Sequence, residues 1–139
     1  SIDPKEALQI KRRIDKSNQD RTDMVEIIDE YFFNKFSNIK TTKECNINTE
    51  TPAWAIDRLS ILELKIFHMG VEANRSSADE KHRLSCISKL EILKAQRKNL
   101  SKAIDQLFDN ISNGKTMALT YKQMKMYNDD KLNPELYQD

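Results

Sequence analysis

A chain of 139 residues, 38% hydrophobic and 32% charged, is the size of one domain and can bury a core without metal or disulfide staples. Only 2 Gly and 3 Pro exclude the frequent turns of a many-stranded sheet and favour long helices. Lys plus Arg number 23 against 22 Asp plus Glu, a net charge of +1, which excludes a partner held by bulk charge, whether nucleic acid or an anionic membrane.

The first element opens on Asp3-Pro4-Lys5-Glu6: an N-cap aspartate, a proline at the first helical position and a glutamate three residues after the cap. From there Ala7, Ile10, Ile14, Met24, Val25, Ile28, Phe32 and Phe36 recur at helical spacing, which predicts a helix near 4–36 of roughly 50 Å. Residues 37–50 are polar and aperiodic and read as a loop. Thr51-Pro52 repeats the cap-plus-proline start, and a second helix near 52–70 carries Ala55, Leu59, Leu62, Ile66 and Met69 on one face. Trp54, Ile61 and Leu64 extend its apolar surface round most of the circumference, which marks it as the central helix.

Ser77-Ala78-Asp79-Glu80 reads as a capping box for a third helix near 77–113, which Asn113-Gly114 closes with a left-handed residue. Its period is seven: Cys86, Leu93, Leu100 and Leu107 form one row, and Leu90, Arg97, Ile104 and Ile111 the other. Residues 115–139 hold a short amphipathic piece around Met117 to Tyr127, a turn at Asn128-Asp129-Asp130 and a terminal turn opening at Leu132-Asn133-Pro134. The expected fold is one all-α domain, a bundle of three long antiparallel helices with a short C-terminal helical segment. No apolar run has the length of a membrane span, and Cys45 and Cys86 lack CxxC spacing and follow no secretion signal. Reduced thiols in a cytoplasmic protein are therefore expected.

The main irregularity is Asp15 to Asp23, nine polar residues that interrupt the first helix's stripe without breaking its phase. Arg21 falls within the stripe, with Ser17 and Asn18 at its edges, and Arg97 holds a core position of the third helix. A guanidinium turned toward a core needs an anion, since it keeps its proton. That anion is an internal carboxylate, with Asp57 the first candidate, or a phosphate or carboxylate ligand bound by Arg21, Arg97, Asn18, Ser17 and Asp57. Otherwise both arginines reach water.

No catalytic residue is expected. Glu26, Asp29 and Glu30 suggest a magnesium patch but lack a second acidic pair and read as a solvated face. Asp79 with His82 supplies one carboxylate–histidine step where a di-iron bundle needs two, His68 reads as a hydrogen-bonded packing residue, and neither cysteine has an evident base beside it. No metal or cofactor is expected. Tyr121, Lys122, Lys125 and Tyr127 could stack on a nucleic-acid strand, but the methionines among them favour packing on the bundle or on a partner.

Three blocks, IKRRIDKSNQDRTD (10–23), NTETPAWAIDRLSILELKIFHM (48–69) and YKQMKMYNDDKLNPELY (121–137), resemble an uncharacterised bacterial helical family of unknown function, found chiefly in Bacteroides-like bacteria. The resemblance spans essentially the whole chain. It implies no catalytic residue, and it implies an additional N-terminal segment, consistent with a start at Ser1, so that part of the bundle lies outside this sequence. The stretch 57–65, DRLSILELK, is also similar to a signature of small helical proteins that accompany surface-polysaccharide glycosyltransferases. The function expected is a helical protein-interaction module, a homodimer or a dock for a partner protein, linked to surface-glycan assembly. The alternative is a small-anion- or nucleotide-binding or metal-dependent enzyme that uses the inward arginines and the acidic patch.

Overall fold

The structure, a computed structural model, describes residues 3–124, 129, 131–132 and 134–136. It is an all-α bundle of three helices, α1 (Pro4–Phe36), α2 (Pro52–Ala73) and α3 (Glu80–Ser112), followed by one turn of 3-10 helix, η1 (Pro134–Leu136). The starts of α1 and α2 follow the chemistry of their caps. Asp3 accepts the Lys5 N–H at 3.3 Å and Thr51 Oγ1 accepts the Trp54 N–H at 3.3 Å, each with proline at the first helical position.

Two helix ends differ from the sequence expectation. Gly70 does not stop α2, because with a right-handed backbone it costs one helical position only modest entropy. The helix runs on to Ala73, where the Asn74 side chain donates to the Gly70 carbonyl at 2.8 Å. For α3 the cap is Asp79 rather than Ser77: its carboxylate accepts the His82 N–H at 2.8 Å, where a charged acceptor at the positive helix end outcompetes the hydroxyl two residues earlier. At the other end Gly114 adopts φ +67°, and the Lys115 N–H reaches back to the Asn110 carbonyl at 2.8 Å, the closing bond of a Schellman motif.

The closest packing is between α2 and α3, which the short 74–79 connection folds back on one another. Ala55 lets α3 approach, and Ile104, Leu107 and Ile111 fill the contact with Phe36, Leu59, Leu100 and Phe108 around them. α1 joins this core through its C-terminal end. Phe32 meets Phe108 edge to face with ring centroids 4.9 Å apart, and Phe36 stacks on Phe32. Further up, Thr22, Val25 and Asp29 are the buried residues of α1, whereas none of residues 3–21 is buried.

The loop 37–50 and the segment after α3 are tied together. Thr42 donates to the Gly114 carbonyl at 2.9 Å, Asn46 donates to Lys115 at 3.0 Å and Met117 donates back to Asn46 at 2.8 Å. These bonds form an isolated parallel bridge between Asn46 and Thr116. The expected amphipathic piece is irregular, non-helical chain over 117–124, and its residues 125–127 lie outside the described residues. Of the expected turn at 128–130 only Asp129 is described, and its carboxylate accepts the Lys131 N–H at 2.8 Å. η1 is the short C-terminal helical element.

Candidate functional site

The middle of α1, the start of α2 and the irregular segment after α3 meet at one place, and each brings residues from one of the three sequence blocks. Arg21 lies against Asp57 as a two-pronged fork, Nε to Oδ1 and Nη2 to Oδ2, both 2.6 Å. The Asp57 side chain is only 9% exposed while that of Arg21 is 46% exposed, so the carboxylate is inside and the guanidinium covers it from the solvent side. Hydrogen bonding to Asp57 holds the Arg21 pKa above its ordinary value against the opposing pull of burial.

Two turns further along α1, Asp29 is 2% exposed. One of its oxygens accepts the Ala53 N–H at 3.0 Å and the other accepts the Thr51 hydroxyl. Thr51 in turn caps α2, so a carboxylate on α1 completes the N-terminus of α2, where free N–H groups and the helix dipole favour an anion. Burial pushes the Asp29 carboxyl above the ordinary aspartate range, with the Thr51 and Ala53 hydrogen bonds and the Lys122 charge opposing. The expectation of a solvated acidic face is therefore corrected at this residue. Glu26 instead accepts the Gln123 N–H at 3.0 Å and pairs with Lys122 at 3.3 Å, and Glu30 is exposed. The sequence carried a signal for Asp29: Thr22, Val25, Asp29, Phe32 and Phe36 share one helical row, and an aspartate in that row must have an internal partner.

The segment after α3 straps this junction. Tyr121 donates its hydroxyl to the Asn48 carbonyl at 2.8 Å and accepts the Trp54 indole N–H on its own carbonyl at 3.3 Å. Trp54, Asp57, Arg58, Ile61, Tyr121 and Gln123 line an open cavity of about 340 Å³ beside it. It adjoins a larger groove of about 630 Å³ between α2 and α3, with Arg58, Lys65, Gln96 and Asn99 above a floor that includes Leu62 and Leu100. Arg97 does not join Arg21: it is exposed and lies 3.6 Å from Glu63. Ser17 and Asn18 lie about one turn before Arg21 on the exposed part of α1.

A second polar cluster links the end of α2 to the first turns of α3. Contrary to the sequence expectation, a cysteine does sit beside a base: Cys86 Sγ is 3.4 Å from His82 Nε2, because residues four apart share a helix face. The same Nε2 lies 3.0 Å from Glu72, which also receives Arg75 at 3.1 Å. The His82 hydrogen bond, more than Arg75, draws the Glu72 carboxyl below the ordinary glutamate range. A nucleophilic relay needs thiol and carboxylate on opposite ring nitrogens. Here both converge on one, and Cys86 is only 4% exposed, so the cluster ties two helices together. The Asp79 carboxylate accepts the His82 backbone N–H and not its ring. His68, expected among packing residues, is exposed, with its ring edge-on to Phe67. Among the described residues no three His, Cys, Asp or Glu side chains are grouped to hold a metal ion, and no helix is long and apolar enough to cross a membrane.

A family profile described as "Protein of unknown function (DUF4254)" matches residues 1–119. The chain belongs to DUF4254. No curated protein and no solved structure matches it. The matched part of this DUF4254 chain takes in all three helices and the junction of Arg21, Asp29, Thr51 and Asp57.

Proposed function

We propose that this DUF4254 chain is a helical protein-interaction module. The observation that carries the reading is an apolar stripe left exposed among the described residues. Ahead of Arg21, α1 presents Ile10 and Ile14 at 40% and 51% exposure, in phase with Val25, Ile28 and Phe32 on the packed half. The outer side of α2 leaves Leu64, Phe67 and Val71 at 60%, 64% and 52%. Large apolar side chains exposed in two such rows are the kind of surface that marks interaction sites. Covering each would contribute roughly 1 kcal/mol.

The alternative, a small-anion or nucleotide enzyme, draws on Arg21 and Arg97, and both guanidiniums already face carboxylates. We place the module in the bacterial cytoplasm on the strength of its two free thiols, and its role in surface-glycan assembly on the likeness of residues 57–65.

The test is co-purification of the tagged chain from its native host beside a thermal-shift screen with nucleotides, sugar phosphates and magnesium. A stoichiometric protein, this chain's own second copy included, that is lost on Leu64→Glu supports the module. A clear melting shift with one small ligand and no associated protein favours the enzyme.

A further inference from the structure

We infer that the uncovered α1–α2 face is closed by a second copy of this chain, the α1 arm of each copy lying on the Leu64, Phe67 and Val71 row of the other. The inference rests on the interaction-module reading and names its partner.

Register is the first argument. Arg21 opposite Asp57 and Asp29 opposite Ala53 set an antiparallel alignment of α1 on α2. Continued at equal rise from the Arg21–Asp57 contact, that alignment brings Ile14 level with Leu64, and Ala7 and Ile10 level with Phe67 to Val71. The two rows match in phase and length, yet both remain about half exposed or more, apart from Ile10 at 40% and the partly covered Ala7. The chain thus carries an apolar row on α1 and a matching row on α2, both left largely uncovered among the described residues. Such a pair of surfaces is self-complementary under a two-fold axis, which uses each contact twice.

Area is the second argument. The chain exposes 10811 Å². A compact monomer of its 16.3 kDa mass would expose about 7,500 Å². The excess of roughly 3,300 Å², taken over the whole chain and the open segment after α3 as well as this face, leaves room for the 1,000 to 2,500 Å² that each partner contributes to an obligate homodimer. With a net charge of +1, two copies approach without appreciable long-range repulsion.

Sedimentation velocity of the whole chain over a concentration series tests the inference, with Ile14→Glu and Phe67→Glu as interface variants and Ile92→Glu, at an exposed position on α3, as control. All three sites are more than half exposed, so helicity and melting of the isolated chain should be retained. The expected result is a wild-type dimer, an unchanged Ile92→Glu dimer, and dissociation constants raised about hundredfold or more for the other two, because each two-fold contact would bury a carboxylate twice. A wild-type dimer that survives both interface variants overturns the inference, as does a wild type that is monomeric at every concentration. In that last case a different stoichiometric protein, captured by wild type and lost in Phe67→Glu, would leave the interaction module standing while removing the second copy as its partner.

Discussion

Asp29 on α1 accepts the hydroxyl of Thr51, and Thr51 caps α2, so one helix carries the counter-charge for the start of another. With the Arg21–Asp57 fork, this contact sets where α1 meets α2. Asp29→Ala would leave the Ala53 N–H and the Thr51 hydroxyl without their partner inside the protein. It is expected to destabilise by about 2 to 4 kcal/mol in urea unfolding, combining a lost cap with buried unsatisfied groups. A loss below about 0.5 kcal/mol would mean that water replaces the carboxylate freely.

The same carboxylate sets a pH dependence. Its pKa is raised, chiefly by burial, so the folded protein binds this proton more tightly than the unfolded chain does. The stabilising contribution of that proton is complete below the unfolded aspartate pKa and is lost as pH rises from there through the folded value. Asp29→Asn keeps an acceptor for Ala53 without the charge. The variant's stability relative to wild type should therefore improve as pH rises through that window. Unfolding curves at a series of pH values check this, and parallel profiles for the two proteins would refute it.

For the Arg21–Asp57 fork the exposure of the arginine decides the magnitude. A fully buried pair loses about 3 to 5 kcal/mol when one partner goes, and an exposed one less than about 1. Asp57 is inside, but a guanidinium 46% exposed can turn to water once freed, so Asp57→Ala is expected to cost about 1 to 2 kcal/mol. Arg21→Met combined with Asp57→Leu should recover part of that loss. A double-mutant cycle with no coupling would show that the fork contributes only geometry.

Much of this was legible in the sequence, and the residues show why. Asp3-Pro4 and Thr51-Pro52 fixed two helix starts because capping is local chemistry, and the phase of Arg21 in a polar interval pointed to Asp57. Arg97 misled because a heptad position states which side of a helix a residue is on, not how deep a neighbour covers it, and a long side chain at the edge reaches Glu63 instead. The charge of Asp29 suggests a solvated face, but its phase in the Thr22–Phe36 row places it inside. The His82–Glu72 contact joins two helices across a turn, and no single-helix pattern encodes it.

The strap offers a built-in reporter, since Trp54 is the chain's single tryptophan. Its indole N–H bonds the Tyr121 carbonyl, and Glu26 holds the next two residues, Lys122 and Gln123. Glu26→Ala should loosen the strap, shift tryptophan emission to the red and raise iodide quenching, while global stability drops by only about 1 kcal/mol because these contacts are exposed. Unchanged emission would show that the Tyr121–Asn48 hydrogen bond holds the strap by itself.

The two glycines, finally, predict opposite signs for one substitution. A Cβ on Gly70 meets nothing within 4 Å, and the backbone there is helical, so Gly70→Ala should stabilise by about 0.5 to 1 kcal/mol by restricting the unfolded chain. At Gly114 φ is +67°, and a Cβ would lie 2.2 Å from the Lys40 carbonyl oxygen and 3.1 Å from its carbon. Backbone cannot yield as a side-chain tip can. Gly114→Ala must therefore displace the 37–50 loop or break the Schellman turn, at a cost of about 3 kcal/mol or more. The damage should be local first: the amides of Thr42 and Asn46, which bond Gly114 and Lys115, lose hydrogen-exchange protection while those of α2 keep theirs. Thermal unfolding of the two variants side by side decides it, and shifts of the same sign would mean that the loop moves off Gly114 at little cost.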